Sequence, residues 1–179
     1  MSETDNCLPT GEWLELVRLA LGFEIRKALR EDSAGIGRVH VDTWRTTYRD
    51  IIDQEYLANL SYQRGREQWE GAVTNPRSRT AVFVAVDQDH QNRVVGFAAC
   101  GAVRDNKDYD GDLYAIYILQ DLQGKGIGRK LVSSVANELI SHSFSSMLVW
   151  VLAQNPCRGF YEALGGEHVL TKDVKIAEK

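Results

Sequence analysis

The longest coherent pattern of apolar and polar positions runs from residue 113 to residue 140. Residues 113–119 (LYAIYIL) form an apolar run rich in Ile and Tyr, the composition of a buried strand. A short turn, Gln123-Gly124-Lys125-Gly126-Ile127-Gly128, interrupts it. Beyond the turn Ile127, Leu131, Val135 and Leu139 recur every four residues, with Gly128, Val132, Ala136 and Ile140 as the neighbouring row. That stripe predicts a helix buried on a sheet. Upstream, residues 23–29 read as a first strand, and Glu31-Asp32-Ser33 signals a helix start. On that helix Ile36, His40, Trp44 and Tyr48 share one row. Residues 55–60 and 63–73 read as two shorter helices, ended by Asn75-Pro76-Arg77. Residues 80–86 (TAVFVAV) and 93–103 (RVVGFAACGAV) are two strands joined by a polar hairpin loop. Gly96 in the second of them marks a bulge or a close backbone approach. Residues 104–112 are polar and acidic, a solvated loop. Downstream, residues 147–152 (MLVWVL) read as a buried strand. Pro156 opens a helix carrying Phe160, Tyr161 and Leu164, which Gly165-Gly166 closes. Residues 167–176 read as a last strand. This order predicts an α/β fold, a mixed sheet with helices on both faces.

Composition narrows the class without changing that picture. At 179 residues the chain suits one domain with a real core. Residues 1–22 stand apart as an N-terminal extension, followed by a domain over 23–179. In the extension Trp13, Leu14, Leu16, Val17 and Leu19 could form a short helix that packs on the domain or on the partner in a homodimer; an unordered extension is the alternative. A net charge of −4 argues against general nucleic-acid binding. No apolar run approaches the roughly 20 residues a bilayer needs, and MSETDNC is acidic, unlike a signal peptide, so a cytoplasmic protein is expected. Cys7, Cys100 and Cys157 are widely spaced, which indicates neither a disulfide framework nor a metal site.

The chemistry gathers at the glycine turn. A helix start leaves backbone N–H groups without partners and carries about half a positive charge, so it attracts a phosphate. Glycines let the anion approach those N–H groups and tolerate positive φ. Lys125 and Arg129 add charge beside the turn. The plainer alternative is a tight strand-to-helix turn without a ligand. A dinucleotide fingerprint does not fit. Counted from Gly124, its third glycine position is Arg129, and the ribose-binding carboxylate is missing near Ser145-Ser146. A Walker loop is also absent.

The turn resembles the Q/R-x-x-G-x-G/A signature of the GCN5-related N-acetyltransferases, through Gln123, Gly126 and Gly128. The resemblance implies that residues 123–129, including Gly124, Lys125, Ile127 and Arg129, hold the pyrophosphate of acetyl-coenzyme A. It implies that Ile116, Tyr117 and Ile118 pair their backbone with the pantetheine arm, beside a bulge that splays this strand from its neighbour. The expected fold is then a single-domain, mostly antiparallel sheet of about six strands flanked by helices. The segment from Asn155 to Phe160-Tyr161 is similar to another family segment, which implies that Asn155 contacts the cofactor and that Tyr161 is the acid near its sulfur. Trp44-Arg45-x-x-Tyr48 resembles a bacterial branch that includes polyamine acetyltransferases, implying an acceptor pocket lined by Trp44 and Tyr48. A core stripe is the other reading of Trp44, and a packing residue that of His40. Two departures stand out. The family usually adds a seventh strand, and this chain stops at Lys179; many relatives place Glu at the start of the fourth strand, where this chain has Asp112. Asp112 is the candidate base, acting through a water, or a plain loop carboxylate.

The implied activity is transfer of acetyl from acetyl-CoA to a primary amine, a small amine or polyamine, by direct attack in a ternary complex without a metal. An alkylammonium must first lose its proton to attack, and a backbone N–H can stabilise the thioester oxygen. An acetyl-cysteine route through Cys157 is a second path. Two other readings remain: a CoA-binding regulatory or interaction protein without turnover, and an acetyltransferase acting on a protein or peptide amine.

Overall fold

The computed structural model describes residues 22–174 except 76, 105 and 107. The expected N-terminal helix lies outside the described residues. Strands β1 (Phe23–Lys27), β2 (Ala81–Asp87), β3 (Arg93–Ala102), β4 (Gly111–Ile118) and β5 (Met147–Val149) form one sheet in the order of the chain. Pairing is antiparallel from β1 to β4 and parallel between β4 and β5. Between β1 and β2 lie α1 (Ser33–Thr47), α2 (Gln54–Ala58) and α3 (Tyr62–Thr74); α4 (Ile127–Ser141) joins β4 to β5, and α5 (Arg158–Glu162) follows β5. The sheet therefore has five strands among the described residues, where about six were expected. Residues 167–174 run beside no strand. Val169, Leu170 and Val174, the large apolar residues of this segment, are 40–50% exposed, so no buried face fixes a register there.

Helices α1 and α3 cover one face of the sheet and α4 the other. Phe97 of β3 packs edge-on against Trp69 of α3, with ring centroids 4.6 Å apart. On α4 Ile127, Leu131, Val135 and Leu139 are all buried, while the second row is buried at Gly128, partly buried at Val132 and Ala136 and 66% exposed at Ile140, so the stripe narrows towards the end of the helix. Helices α1 and α3 cross at Gly37 and Gly65: a Cβ on Gly37 would stand 2.6 Å from the Arg66 backbone nitrogen, so only glycine permits this approach. Asp32 is buried and does not cap α1 with its side chain. It accepts instead from the Leu29 N–H at 2.7 Å and from both ends of the Arg26 guanidinium.

Two bulges shape the middle of the sheet. Ala85 pairs Gly96 while Val86 pairs Val94, so Val95 is the extra residue on β3, next to the glycine that signalled it. Ala99 pairs Ala115 while Cys100 pairs Leu113, so Tyr114 is the extra residue on β4. A bulge bends and twists its strand. Immediately beyond it β4 leaves β5: their pairing covers Gly111 to Leu113 only, and β5 ends at Val149 rather than at residue 152. Asp112, read either as a loop carboxylate or as standing at the start of the fourth strand, is the second residue of β4. Among the described residues no helix is long and apolar enough to cross a membrane.

Candidate functional site

The divergence of β4 and β5 opens a cavity of about 560 Å³. One wall is β4 from Leu113 to Ile118; the opposite wall is Val149, Trp150 and Val151. Beyond Leu113 no described strand pairs with this edge of β4, so its backbone groups face the cavity instead of a ladder. The floor at one end is the turn between β4 and α4. Gly124 (φ 75°) and Gly126 (φ 81°) lie in the left-handed region, where side chains are strained. A Cβ on either would meet nothing within 4 Å, so the turn leaves open space above its backbone. Gly126 is also the residue that caps α4 and, having no side chain, offers no cap to the first N–H groups of that helix. Gly128 has a different purpose: a Cβ there would come within 3.1 Å of the Phe160 ring and 3.3 Å of Ile118, so it lets α5 and β4 close on the helix start. Gln123 turns back to donate from Nε2 to the Ile118 carbonyl at 3.1 Å, pinning the turn to the end of the strand.

The other end of the cavity is aromatic and hydroxylic. Tyr48, at the C-terminus of α1, is buried, and its hydroxyl accepts from Asn155 Nδ2 at 3.3 Å. Asn155 Oδ1 accepts from the Cys157 N–H at 2.8 Å, an Asx turn that leads into α5. The amide so joins α1 to the start of α5. Burial pushes the Tyr161 phenol well above its ordinary range, with Tyr48 and Cys157 adding to it. Burial does the same to Tyr117 and, more weakly, to Tyr48. All three phenols are therefore protonated at neutral pH. Burial also raises the Cys157 thiol, so it is not an activated nucleophile.

The expected residues fall into two groups. Ile116, Tyr117, Ile118, Gln123, Gly124 and Gly126 line the cavity, as do Ile127, Gly128, Arg129, Asn155, Tyr48 and Tyr161. Lys125, Trp44 and Asp112 do not. Lys125 is exposed beside the turn. Trp44 packs behind Tyr48, centroids 5.1 Å apart, and against Tyr56. Asp112 is 3% exposed, with Oδ2 3.6 Å from the Arg104 guanidinium, which itself lies 3.8 Å from the Tyr114 ring. Arg45, the remaining charge of the Trp44–Tyr48 segment, is a staple. It donates to the carbonyls of Leu57, Ala58 and Leu60 at 3.1, 3.1 and 2.9 Å, holding the end of α2. Thr47 and Phe160, inside the two segments the sequence pointed to, also line the cavity, as does Thr43, which sequence reasoning missed. The threonines were readable in principle, four residues apart on the helix that ends at Tyr48.

Comparison with known proteins agrees with this architecture. The family model described as FR47-like protein matches residues 93–174, the stretch from β3 to the end of the described chain. The uncharacterized N-acetyltransferase YuaI of Bacillus subtilis (strain 168) is 45% identical over 154 residues, 86% of this chain and 85% of that protein. The ribosomal protein bS18-alanine N-acetyltransferase of Haemophilus influenzae is 26% identical over 121 residues, 67% of this chain and 79% of that protein. Among solved structures, the PaiA N-acetyltransferase of Thermoplasma acidophilum, in complex with coenzyme A, has a TM-score of 0.71 at 19% identity, covering 86% of this chain and 94% of that chain. With a relative at 45% identity across most of both lengths, and with this strand, turn and helix at its centre, the chain belongs to the GCN5-related N-acetyltransferase family.

Proposed function

We propose that this N-acetyltransferase takes acetyl-CoA as co-substrate and acetylates a small primary amine of low charge, in the cavity between β4 and β5. The observation that carries the reading is the unpaired edge of β4 running directly into a glycine turn with open space above it. A ligand with a linear amide-bearing arm and a pyrophosphate matches those two features in that order. Backbone groups of residues 115–118 would hold the arm, and the first N–H groups of α4, with Arg129, the phosphates. Bound acetyl-CoA supplies a thioester activated towards amines.

The remaining chemistry belongs to the chain. Tyr161 keeps its proton at neutral pH because burial raises its pKa, which is the form needed to donate to a departing thiolate. Tyr48, steadied by the Asn155 amide, closes the same end of the cavity. Among the described residues no carboxylate lines the cavity. A polycation such as a polyamine would find no counter-charge there, whereas an amine with an apolar or aromatic body suits the aromatic end beside Tyr48 and Tyr161. Asp112, away from the cavity and beside Arg104, is a positioning residue for the start of β4 in this reading. The amine therefore enters neutral from solution, and the rate should climb with pH towards the pKa of the amine.

The test is release of coenzyme thiol from acetyl-CoA across apolar monoamines, spermidine and a peptide with a free N-terminus. Turnover should favour the monoamines, and Tyr161→Phe should lower kcat at least tenfold with KM for acetyl-CoA changed less than about threefold. Preference for spermidine or for the peptide contradicts the acceptor class. An unchanged kcat in Tyr161→Phe removes Tyr161 as the acid.

A further inference from the structure

One polar group in the cavity wall is unaccounted for. Thr43 of α1 is 4% exposed, and its hydroxyl has no hydrogen-bond partner among the described residues. Native proteins rarely leave such a group unmade, because its desolvation is then uncompensated. A threonine in a helix normally has a partner at hand in the preceding turn. Thr46, one turn on, uses it: its Oγ1 donates to the carbonyls of Asp42 and Thr43 at 3.2 and 3.1 Å. Thr43 makes no such bond, although it sits on the same helix. Thr43 is instead one of the residues lining the cavity between β4 and β5, its hydroxyl oxygen buried in that wall.

The place of Thr43 along that cavity narrows what it could meet. It lies five residues before Tyr48, about 7.5 Å along the helix axis. It also borders a second hollow lined by Leu119, Gln120 and Asp121, the end of β4 and the approach to the glycine turn. Thr43 thus borders the approach to the phosphate end and lies five residues from Tyr48 at the chemical end. A coenzyme A molecule spanning those ends places its pantetheine arm there, and the arm carries two amides that need partners when desolvated. The free edge of β4 can meet them from one side only.

We propose that the Thr43 hydroxyl completes the arm's hydrogen bonding from the α1 side, as a binding and positioning residue for the co-substrate; this rests on the reading of the cavity as the coenzyme site. Because the group is unsatisfied in the free protein and satisfied in the complex, removing it acts on stability and on binding with opposite signs. Replacement by the isosteric Val keeps shape and near-equal helix propensity while deleting the hydroxyl.

The experiment is calorimetric titration of wild type, Thr43→Val and Thr43→Ser with coenzyme A and, separately, with 3′-phosphoadenosine 5′-diphosphate, which lacks the arm. Thermal melts of the three free proteins accompany it. Thr43→Val should weaken coenzyme A about tenfold, the worth of one neutral hydrogen bond, and leave the armless nucleotide unchanged. Its free form should melt about 2–4 °C higher. Thr43→Ser should bind coenzyme A within about threefold of wild type. Unchanged coenzyme A affinity in Thr43→Val, while wild type binds, overturns this inference alone. Equal weakening of both ligands also overturns it, since the hydroxyl would then act on the phosphates or on the fold. A lower melting temperature with unchanged affinity shows the hydroxyl to be satisfied within the protein. Wild type that binds neither ligand removes the coenzyme site itself.

Discussion

His40 sits among Trp44, Trp69, Phe97 and Tyr117, stacked on the Tyr117 ring at 5.2 Å, and its Nδ1 accepts from the Trp69 indole N–H at 3.1 Å. That bond fixes the neutral tautomer with its proton on Nε2. Burial pushes the imidazole down from 6.5 to about 4. The folded pKa lies below the unfolded one, so the unfolded chain binds the proton first as pH falls. The stability associated with neutral His40 is present above about pH 6.5 and is lost on the way down to about pH 4, a change of about 3 kcal/mol. Urea unfolding between pH 7 and pH 4 should show that fall, and His40→Gln should flatten it; an equal fall in the variant would assign the effect to other groups. The packing reading of His40 was available from its row with Ile36 and Trp44. The roles of the glycines were only half legible. A glycine triplet announces a special turn, but which glycine frees the backbone and which admits a neighbouring ring depends on Phe160, thirty-two residues after Gly128. Asp112 could be read two ways for a related reason: a run of aspartates looks like a loop, whereas the family position puts it at the start of the fourth strand, and the pairing of Gly111 with Ala102 and Met147 agrees with the second.

Elements show the same division. The β4–turn–α4 unit is legible because each of its parts is encoded locally, by an apolar run, by glycines and by a four-residue stripe. The shortening of β5 is not, since MLVWVL favours a strand throughout, yet pairing stops where the Tyr114 bulge turns β4 away. A strand exists only with a partner, and a partner is a tertiary fact. Within α1 the Trp44–Tyr48 segment carries two functions that its spacing alone does not separate. Tyr48 lines the cavity, whereas Arg45 ties α1 to the last turn of α2 and lies 5.2 Å from the Tyr62 ring. Arg45→Met should cost about 2 kcal/mol of stability, lowering the melting temperature by roughly 4–8 °C for a protein of this size. Arg45→Lys should recover little, because a point charge cannot serve three carbonyls as a planar fork does. A melting temperature unchanged by Arg45→Met would contradict the staple.

At the scale of the molecule, one architectural event produces the candidate site. A five-stranded sheet, sealed by α1 and α3 on one face and α4 on the other, comes apart between β4 and β5. The family resemblance pointed to a coenzyme segment, and the structure gathers twelve of the expected residues around one cavity while leaving Lys125, Trp44 and Asp112 outside it. The claim that the glycine turn seats the pyrophosphate is tested most directly by titrating acetyl-CoA into wild type and Gly126→Glu in a calorimeter. The structure has room for the new side chain, and its left-handed backbone costs about 1–2 kcal/mol, so the variant should remain folded at a lower melting temperature. Its carboxylate would stand where the account places the phosphates. Wild type should bind with one site per chain, and the folded variant should lose at least a hundredfold in affinity; equal affinity in the two proteins would contradict the account.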